Sequence, residues 1–302
     1  MWYNVGMITR KAFIASSSAA LLSACTTMVP DGSRGSDKPR LKVRFLGTGA
    51  ADWDEPDERG EFRRTSSVLL DDSVLIDFTE MSADMLPVGV RPRIIFYTHS
   101  HLDHYDPRAA LGLGIERVYA QESWSADVER EFAEAAAELG VRPPVVTGLK
   151  FGVGVEVCGL RITSLPANHG TRRPHERSSI YLVEKGATRL LYATDTGGIT
   201  AEAAKLSGIY LPVESEGITA LIMEATMGVD YADNFRIYTH SSVATVAQLV
   251  RVLEMTERYH PAPGQKVYLT HMSREMHGTQ REIERAVPDP LCPAYDGLEI
   301  ML

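Results

Sequence analysis

Short apolar runs, each closed by a turn signal, recur along most of the chain. Leu41 to Leu46, Val68 to Leu70, Val74 to Ile76, Ile94 to Thr98 and Val118 to Ala120 are rich in β-branched residues and predict strands. Ser125 then stands as N-cap before the Ala- and Glu-rich stretch Ala126 to Leu139, a predicted helix that Gly140 ends. A second series of strands is predicted at Val155 to Val157, Leu160 to Leu165, Ile180 to Val183, Leu190 to Thr194 and Ala220 to Glu224. Ser242 or its neighbour caps a helix to about Glu257, and the strand Lys266 to Thr270 follows. A helix near Thr279 to Ala286 and the strand Leu298 to Met301 close the pattern.

Strands followed by a helix thus occur twice, and many of these strands are apolar at successive positions. Such strands need cover on both faces, which predicts an α/β fold with two sheets packed face to face and helices outside. The polar clusters all fall just after apolar strands, where a rigid scaffold presents chemistry on loops.

The composition, 44% hydrophobic and 24% charged, suits a soluble globular protein with a large core. The net charge is -9, and the first 24 residues hold Arg10 and Lys11 and no acid, so the remainder carries -11. A long nucleic acid is excluded as a partner, because phosphate binding needs a basic surface. A small anionic substrate remains compatible.

Residues 1–25 read as a targeting segment. Arg10-Lys11 precedes the apolar run Ala12 to Leu22, which is too short to span a bilayer. Leu22-Ser23-Ala24-Cys25 resembles a bacterial lipobox, in which the cysteine carries the lipid; the other reading is an ordinary signal peptide with an incidental cysteine. Thr9 to Ile14 also resembles a degenerate twin-arginine signal, with Lys11 in place of the second arginine. Residues 26–40, with Pro30, Gly32, Ser33, Gly35, Ser36 and Pro39, then form a flexible tether to the domain at 41–302. The expected location is the bacterial cell envelope, with contact to the membrane through the N-terminal anchor; a homodimer stays open.

Cys158 and Cys292 are the cysteines beyond the leader, too few for a disulfide framework, and Cys158 in its apolar strand pattern reads as a buried thiol.

Thr98-His99-Ser100-His101-Leu102-Asp103-His104 places three imidazoles and a carboxylate on one short loop after a buried strand. Such density points to divalent metal, and the lack of nearby thiolate argues against a closed structural zinc site. This His-x-His-x-Asp-His pattern resembles the signature of the metallo-β-lactamase superfold, and the similarity extends over residues 41 to 302. The resemblance implies a four-layer αββα sandwich and further ligands His169, Asp195 and His271, each at a strand end. It implies that His99, His101 and His169 hold one divalent ion, Zn or Mn, that Asp103, His104 and His271 hold a second, and that Asp195 bridges them. Two such ions about 3.5–4 Å apart acidify a shared water and stabilise charge at the attacked centre. Asp77 matches an acid that orients the ligand loops in this superfold.

Phe45-Leu46-Gly47-Thr48-Gly49-Ala50 resembles the opening of the ribonuclease Z and phosphoribosyl cyclic phosphodiesterase branch. Met223-Glu224-Ala225-Thr226 and Thr239-His240-Ser241-Ser242 are similar to the Glu-Ala-Thr and His-Ser-Thr elements of ribonuclease Z, with Ser242 in place of threonine. By that resemblance Glu224 orients His240, which protonates the leaving oxygen of a phosphodiester, and Asp103 joins them in the catalytic set. Read alone, Glu224 is a strand-end charge and His240 part of a helix N-terminal region. The ending Tyr295-Asp296-Gly297-Leu298-Glu299-Ile300 is similar to that of phosphoribosyl 1,2-cyclic phosphate phosphodiesterase. The cysteine-rich insert common in that branch is replaced here by the acidic stretch Asp52 to Glu61.

The expected function is hydrolysis of a small phosphodiester, cyclic ones included, by a metal-bound hydroxide with a Glu-His acid dyad. His-x-His-Leu-Asp-His also resembles class II cyclic-nucleotide phosphodiesterases. Lactone, ester or β-lactam hydrolysis is the alternative, and a non-catalytic metal-binding envelope lipoprotein is another. Arg172, Arg173, His175 and Arg177 form a basic cluster suited to one small phosphate, or else a solvated loop.

Overall fold

The computed structural model describes residues 39–210 and 217–302. The targeting segment 1–25 and all of the tether but Pro39 and Arg40 lie outside the described residues.

The first half of the domain supplies β1 (Lys42–Gly47), β2 (Ser67–Leu70), β3 (Val74–Ile76), β4 (Ile94–Phe96), α1 (Pro107–Leu113), β5 (Arg117–Gln121), α2 (Ser125–Leu139) and β6 (Val145–Leu149). The second supplies β7 (Gly154–Val157), β8 (Leu160–Pro166), β9 (Ser179–Lys185), β10 (Thr188–Ala193), α3 (Ala201–Leu206), β11 (Ala220–Glu224), α4 (Val243–Met255), β12 (Val267–Thr270), α5 (Gln280–Ala286) and β13 (Leu291–Pro293). The last strand, β14 (Glu299–Met301), returns to the first sheet beside β1. The strands form two seven-stranded sheets, ordered β14-β1-β2-β3-β4-β5-β6 and β13-β12-β11-β10-β9-β8-β7.

Three apolar layers hold these sheets. Val43, Phe45, Val68 and Phe96 of the first sheet meet Ile162, Tyr181, Tyr192 and Ile222 of the second in a central core. The intervening strand residues face outward: Leu69, Leu75 and Ile95 pack under α1 and α2, and Leu191, Leu221 and Leu269 pack under α3 and α4. A strand's side chains alternate between faces, so strands covered on both sides show the near-continuous apolar runs seen in the sequence. This is the expected αββα sandwich. Helix α2 turns Val128, Phe132, Ala135 and Ala136 inward at helical spacing and ends on Gly140 in the left-handed conformation. Its N-cap is Trp124 rather than Ser125, whose hydroxyl instead donates to the Glu122 carbonyl. Ser242 caps α4 in a capping box with Thr245.

Cys158 is exposed, contrary to the buried thiol expected from its surroundings. Cys158 and Gly159 form the tight turn between β7 and β8, both at positive φ, and a turn residue faces solvent even between apolar strands.

In each sheet an antiparallel meander gives way to parallel strands: β3 to β6 in the first, β10 to β13 in the second. Most of the polar residues singled out in the sequence follow the C-terminal ends of these parallel strands, the usual place for ligands in such sheets. Close backbone contact brings the opening loop there too. A Cβ on Gly47 would lie 1.9 Å from the Thr65 carbonyl oxygen, which only glycine avoids.

Candidate metal centre

The loop after β4 carries His99, His101, Asp103 and His104, and its anchor is Asp77, just past β3. The buried Asp77 carboxylate accepts the Thr98 backbone N–H at 2.8 Å, the Thr98 hydroxyl at 2.7 Å and Nδ1–H of His104 at 2.8 Å. With its proton given to Asp77, the Thr98 hydroxyl can accept from Nδ1 of His99 at 2.9 Å. In the neutral rings of His99 and His104, Nε2 then offers a lone pair aimed inward. A second tie comes from Glu176, which accepts Ser100 N–H at 2.7 Å and the Ser100 hydroxyl at 2.5 Å.

His169 and His271 are oriented in the same way, through Nδ1. Nδ1 of His169, after β8, donates to the Thr239 carbonyl at 3.1 Å. Nδ1 of His271, after β12, faces the Thr226 hydroxyl at 2.9 Å, and that hydroxyl donates to Glu224.

Two groups of inward atoms result. His99 Nε2 and His169 Nε2 lie 2.9 and 3.2 Å from Nδ1 of His101. Nitrogens about 2.0–2.1 Å from one tetrahedral zinc stand roughly 3.3 Å apart, close to this spacing. In the second group Asp103 Oδ2 is 3.2 Å from His104 Nε2 and 3.3 Å from His271 Nε2. Asp195, two residues past β10, lies between: its Oδ2 is 2.7 Å from His104 Nε2 and 3.2 Å from His271 Nε2, and its Oδ1 is 3.9 Å from His169 Nε2.

The donor set fits divalent cations. Nε2 of His104 is buried and makes no hydrogen bond, although two carboxylates face it. Burial lowers the pKa of His99 well below its usual value and takes His101 to about 4, which keeps their imidazoles neutral and able to bind metal. His104 is pulled down by burial too, but Asp103, Asp195 and Asp77 together raise it well above the ordinary range. A cation on that nitrogen would supply the positive charge these buried carboxylates require.

Beside this set stands Glu224, wholly buried at the end of β11. It accepts the Thr196 N–H and the Thr226 hydroxyl, and its Oε2 is 3.2 Å from Nδ1 of His240. Burial lowers the pKa of His240, but Glu224 and then Asp195 outweigh it and raise the value to about 9. Nε2 of His240 makes no hydrogen bond among the described residues, and the ring lines a cavity of about 250 Å³ with His101, Asp103, His169, Asp195 and His271. All seven expected ligands and the Glu224–His240 pair therefore meet in one place.

The basic cluster does not. Arg173 is bound to Glu131 at 2.7 Å, His175 to Asp127 at 2.7 Å and Arg177 to Glu202 at 2.8 Å, while Arg173 also lies over Trp124 and Arg177 over Phe151. None of the three lines the metal cavity, nor does Arg172. Asp52, Arg236, Ser273 and Glu275 line it instead. Asp52, which opens the acidic stretch, accepts from the Ser273 hydroxyl and the Arg274 N–H and so ties the opening loop to the loop after β12.

Several solved structures share this fold. Zn(2+)-bound PqqB from Methylobacterium extorquens is 17% identical, covering 86% of this chain and 100% of its own at a TM-score of 0.61. A diphosphatase of the PhnP family is 21% identical, covering 86% and 97% at 0.56. The short form of human tRNase Z is 18% identical, covering 86% and 98% at 0.58. No curated protein sequence matches the chain. Residues 77–272 match the family model described as the beta-lactamase superfamily domain, a span that runs from Asp77 past His271. That match covers well over half of the chain, which belongs to the β-lactamase superfamily and has the metallo-β-lactamase, metal-dependent hydrolase fold.

Proposed function

We propose that this chain is a phosphodiesterase of the bacterial cell envelope that hydrolyses a small anionic phosphodiester, cyclic ones included. The observation that carries this reading is the approach of Glu224 Oε2 to within 3.2 Å of His240 Nδ1 at the wall of the metal cavity. Hydrolysis of an acyl bond by the same ligands has no need for that pair.

Two divalent ions, Zn(II) or Mn(II), held by His99, His101 and His169 and by Asp103, His104 and His271 with Asp195 between, would polarise the phosphoryl oxygens and acidify a water. The chain's own residues supply the rest. Glu224 orients the His240 ring and stabilises its proton, and the free Nε2 delivers that proton to the departing oxygen. Asp77, Thr98 and Thr226 hold ligand imidazoles in the tautomer that binds metal. The cavity volume of about 250 Å³ suits a small substrate, and the charge of -9 disfavours a polynucleotide. The same fold carries proteins named as a diphosphatase and a tRNase.

The test is an activity screen of the metal-loaded protein against phosphodiesters, lactones, carboxylic esters and β-lactams. Turnover of a small phosphodiester above all acyl substrates is the expected result. A preference for acyl substrates would replace this reading, and full metal occupancy with no hydrolysis would point to a metal-binding protein.

A further inference from the structure

We infer that Arg236 anchors the substrate, its guanidinium holding a non-bridging oxygen of the scissile group, and so selects anionic esters over neutral ones. This rests on the phosphodiesterase reading and adds the residue that would enforce it.

Arg236 is the only lysine or arginine among the described residues that line the metal cavity, whose other ionisable walls are Asp52, Asp103, Asp195, Glu275 and the histidines. Its guanidinium has no carboxylate within ion-pair distance among the described residues. Its one polar contact is the Met276 sulfur, 3.6 Å from Nη1. Arg173, Arg177 and Arg274 differ, each lying within 4.0 Å of a glutamate oxygen, and Arg172 does not line the cavity. A cation beside so many acids but bound to none of them is available to an incoming anion.

The backbone beneath Arg236 is fixed. Phe235–Tyr238 is a short 3-10 turn in which Arg236 N–H donates to Asn234 Oδ1 at 3.0 Å. The Arg236 carbonyl accepts from Thr239 N–H at 2.9 Å and from His240 N–H at 2.8 Å. The same segment holds His169 through the Thr239 carbonyl and presses on Gly197, where a Cβ would come within 2.4 Å of the Ile237 oxygen. Anchor, acid and ligand are thus registered through one short stretch of main chain. Arginine suits the role because its planar fork can give two parallel hydrogen bonds to a phosphoryl group.

The test compares wild type with Arg236→Gln and Arg236→Lys, each loaded with metal, and reads inhibition by inorganic phosphate on whichever ester the wild type cleaves. Loss of a charge-assisted hydrogen bond predicts a rise of roughly 10–100-fold in the phosphate inhibition constant of Arg236→Gln. The ratio of phosphodiester to neutral-ester turnover should fall by a similar factor, chiefly through KM, with Arg236→Lys in between. Metal content and thermal midpoint show that each variant is folded and loaded. Phosphate inhibition within twofold of wild type overturns the anchor, as does a wild type that phosphate fails to inhibit. A wild type that cleaves only neutral esters defeats the phosphodiesterase reading instead, and its phosphate inhibition still decides the role of Arg236.

Discussion

Nδ1 of His104 lies 2.8 Å from Oδ2 of Asp77, with both side chains wholly buried, so the orientation of one candidate ligand is set by an acid just past β3. Asp77→Asn keeps the size of the side chain but weakens its acceptance of the three donors. Metal affinity should fall roughly 10–100-fold, the usual effect of losing a hydrogen-bond partner behind a ligand. Competition with a chromogenic chelator measures it, and an unchanged affinity would show that His104 needs no such support.

Asp195 approaches both ligand groups, which predicts that its loss affects both sites. Elemental analysis should find about two divalent ions per wild-type chain. In Asp195→Gly, which keeps the backbone conformation, the content should drop below one. Loss of a single ion would assign Asp195 to one site alone.

For His240→Ala, metal content should stay intact while the rate on a phosphodiester with a poor alkoxide leaving group falls on the order of 10²–10⁴-fold. An aryl phosphodiester, whose phenolate leaves without a proton, should lose much less. Glu224→Gln should show the same contrast in milder form. Equal losses on both substrates would mean that His240 binds substrate rather than donating a proton.

Glu176 satisfies the backbone and hydroxyl of Ser100 inside the loop that carries His99, His101, Asp103 and His104. Glu176→Ala leaves these donors buried and unpaired, at about 1–3 kcal/mol. For a domain of this size the thermal midpoint should drop by roughly 2–10 °C. A midpoint within 1 °C of wild type by calorimetry would remove the clamp.

Lipid attachment at Cys25 would make that residue the membrane tether, because no helix among the described residues is long and apolar enough to cross a bilayer. Cys25→Ser should then move the protein from the membrane fraction to the soluble one. Retention in the membrane would sink the lipobox reading.

The layered fold was legible because strands such as Ile94–Phe96 and Ala220–Glu224 are apolar on both faces and carry their polar residues just beyond. The short helix α1 was not, since its seven residues span only about two turns and bury the consecutive positions Ala109, Ala110 and Leu111 rather than a helical stripe. The His99–His104 run was visible as a contiguous cluster, and His169, Asp195 and His271 came from resemblance. Arg173 and His175 looked like part of an anion site or a solvated loop because charge density shows in a sequence and its cancellation does not: their partners Glu131 and Asp127 lie more than 40 positions earlier, on α2. Arg236 escaped notice for the converse reason. One arginine between Phe235 and Ile237 carries no signal until the fold brings it to the cavity without an acid beside it.

Asp77, Asp195 and His271 all adopt left-handed backbone, with φ of 55, 47 and 54 degrees. Most side chains pay about 1–2 kcal/mol for that conformation, and Asn, Asp and His are among the few that visit it readily. At these three corners the residues that can make the bend are largely those that can bind or support a metal. A descendant of this protein that lost its chemistry would still be held near the same small alphabet by its turns. Aspartate or histidine at these positions in a related chain would therefore record the path of the backbone and would not, alone, prove a working site.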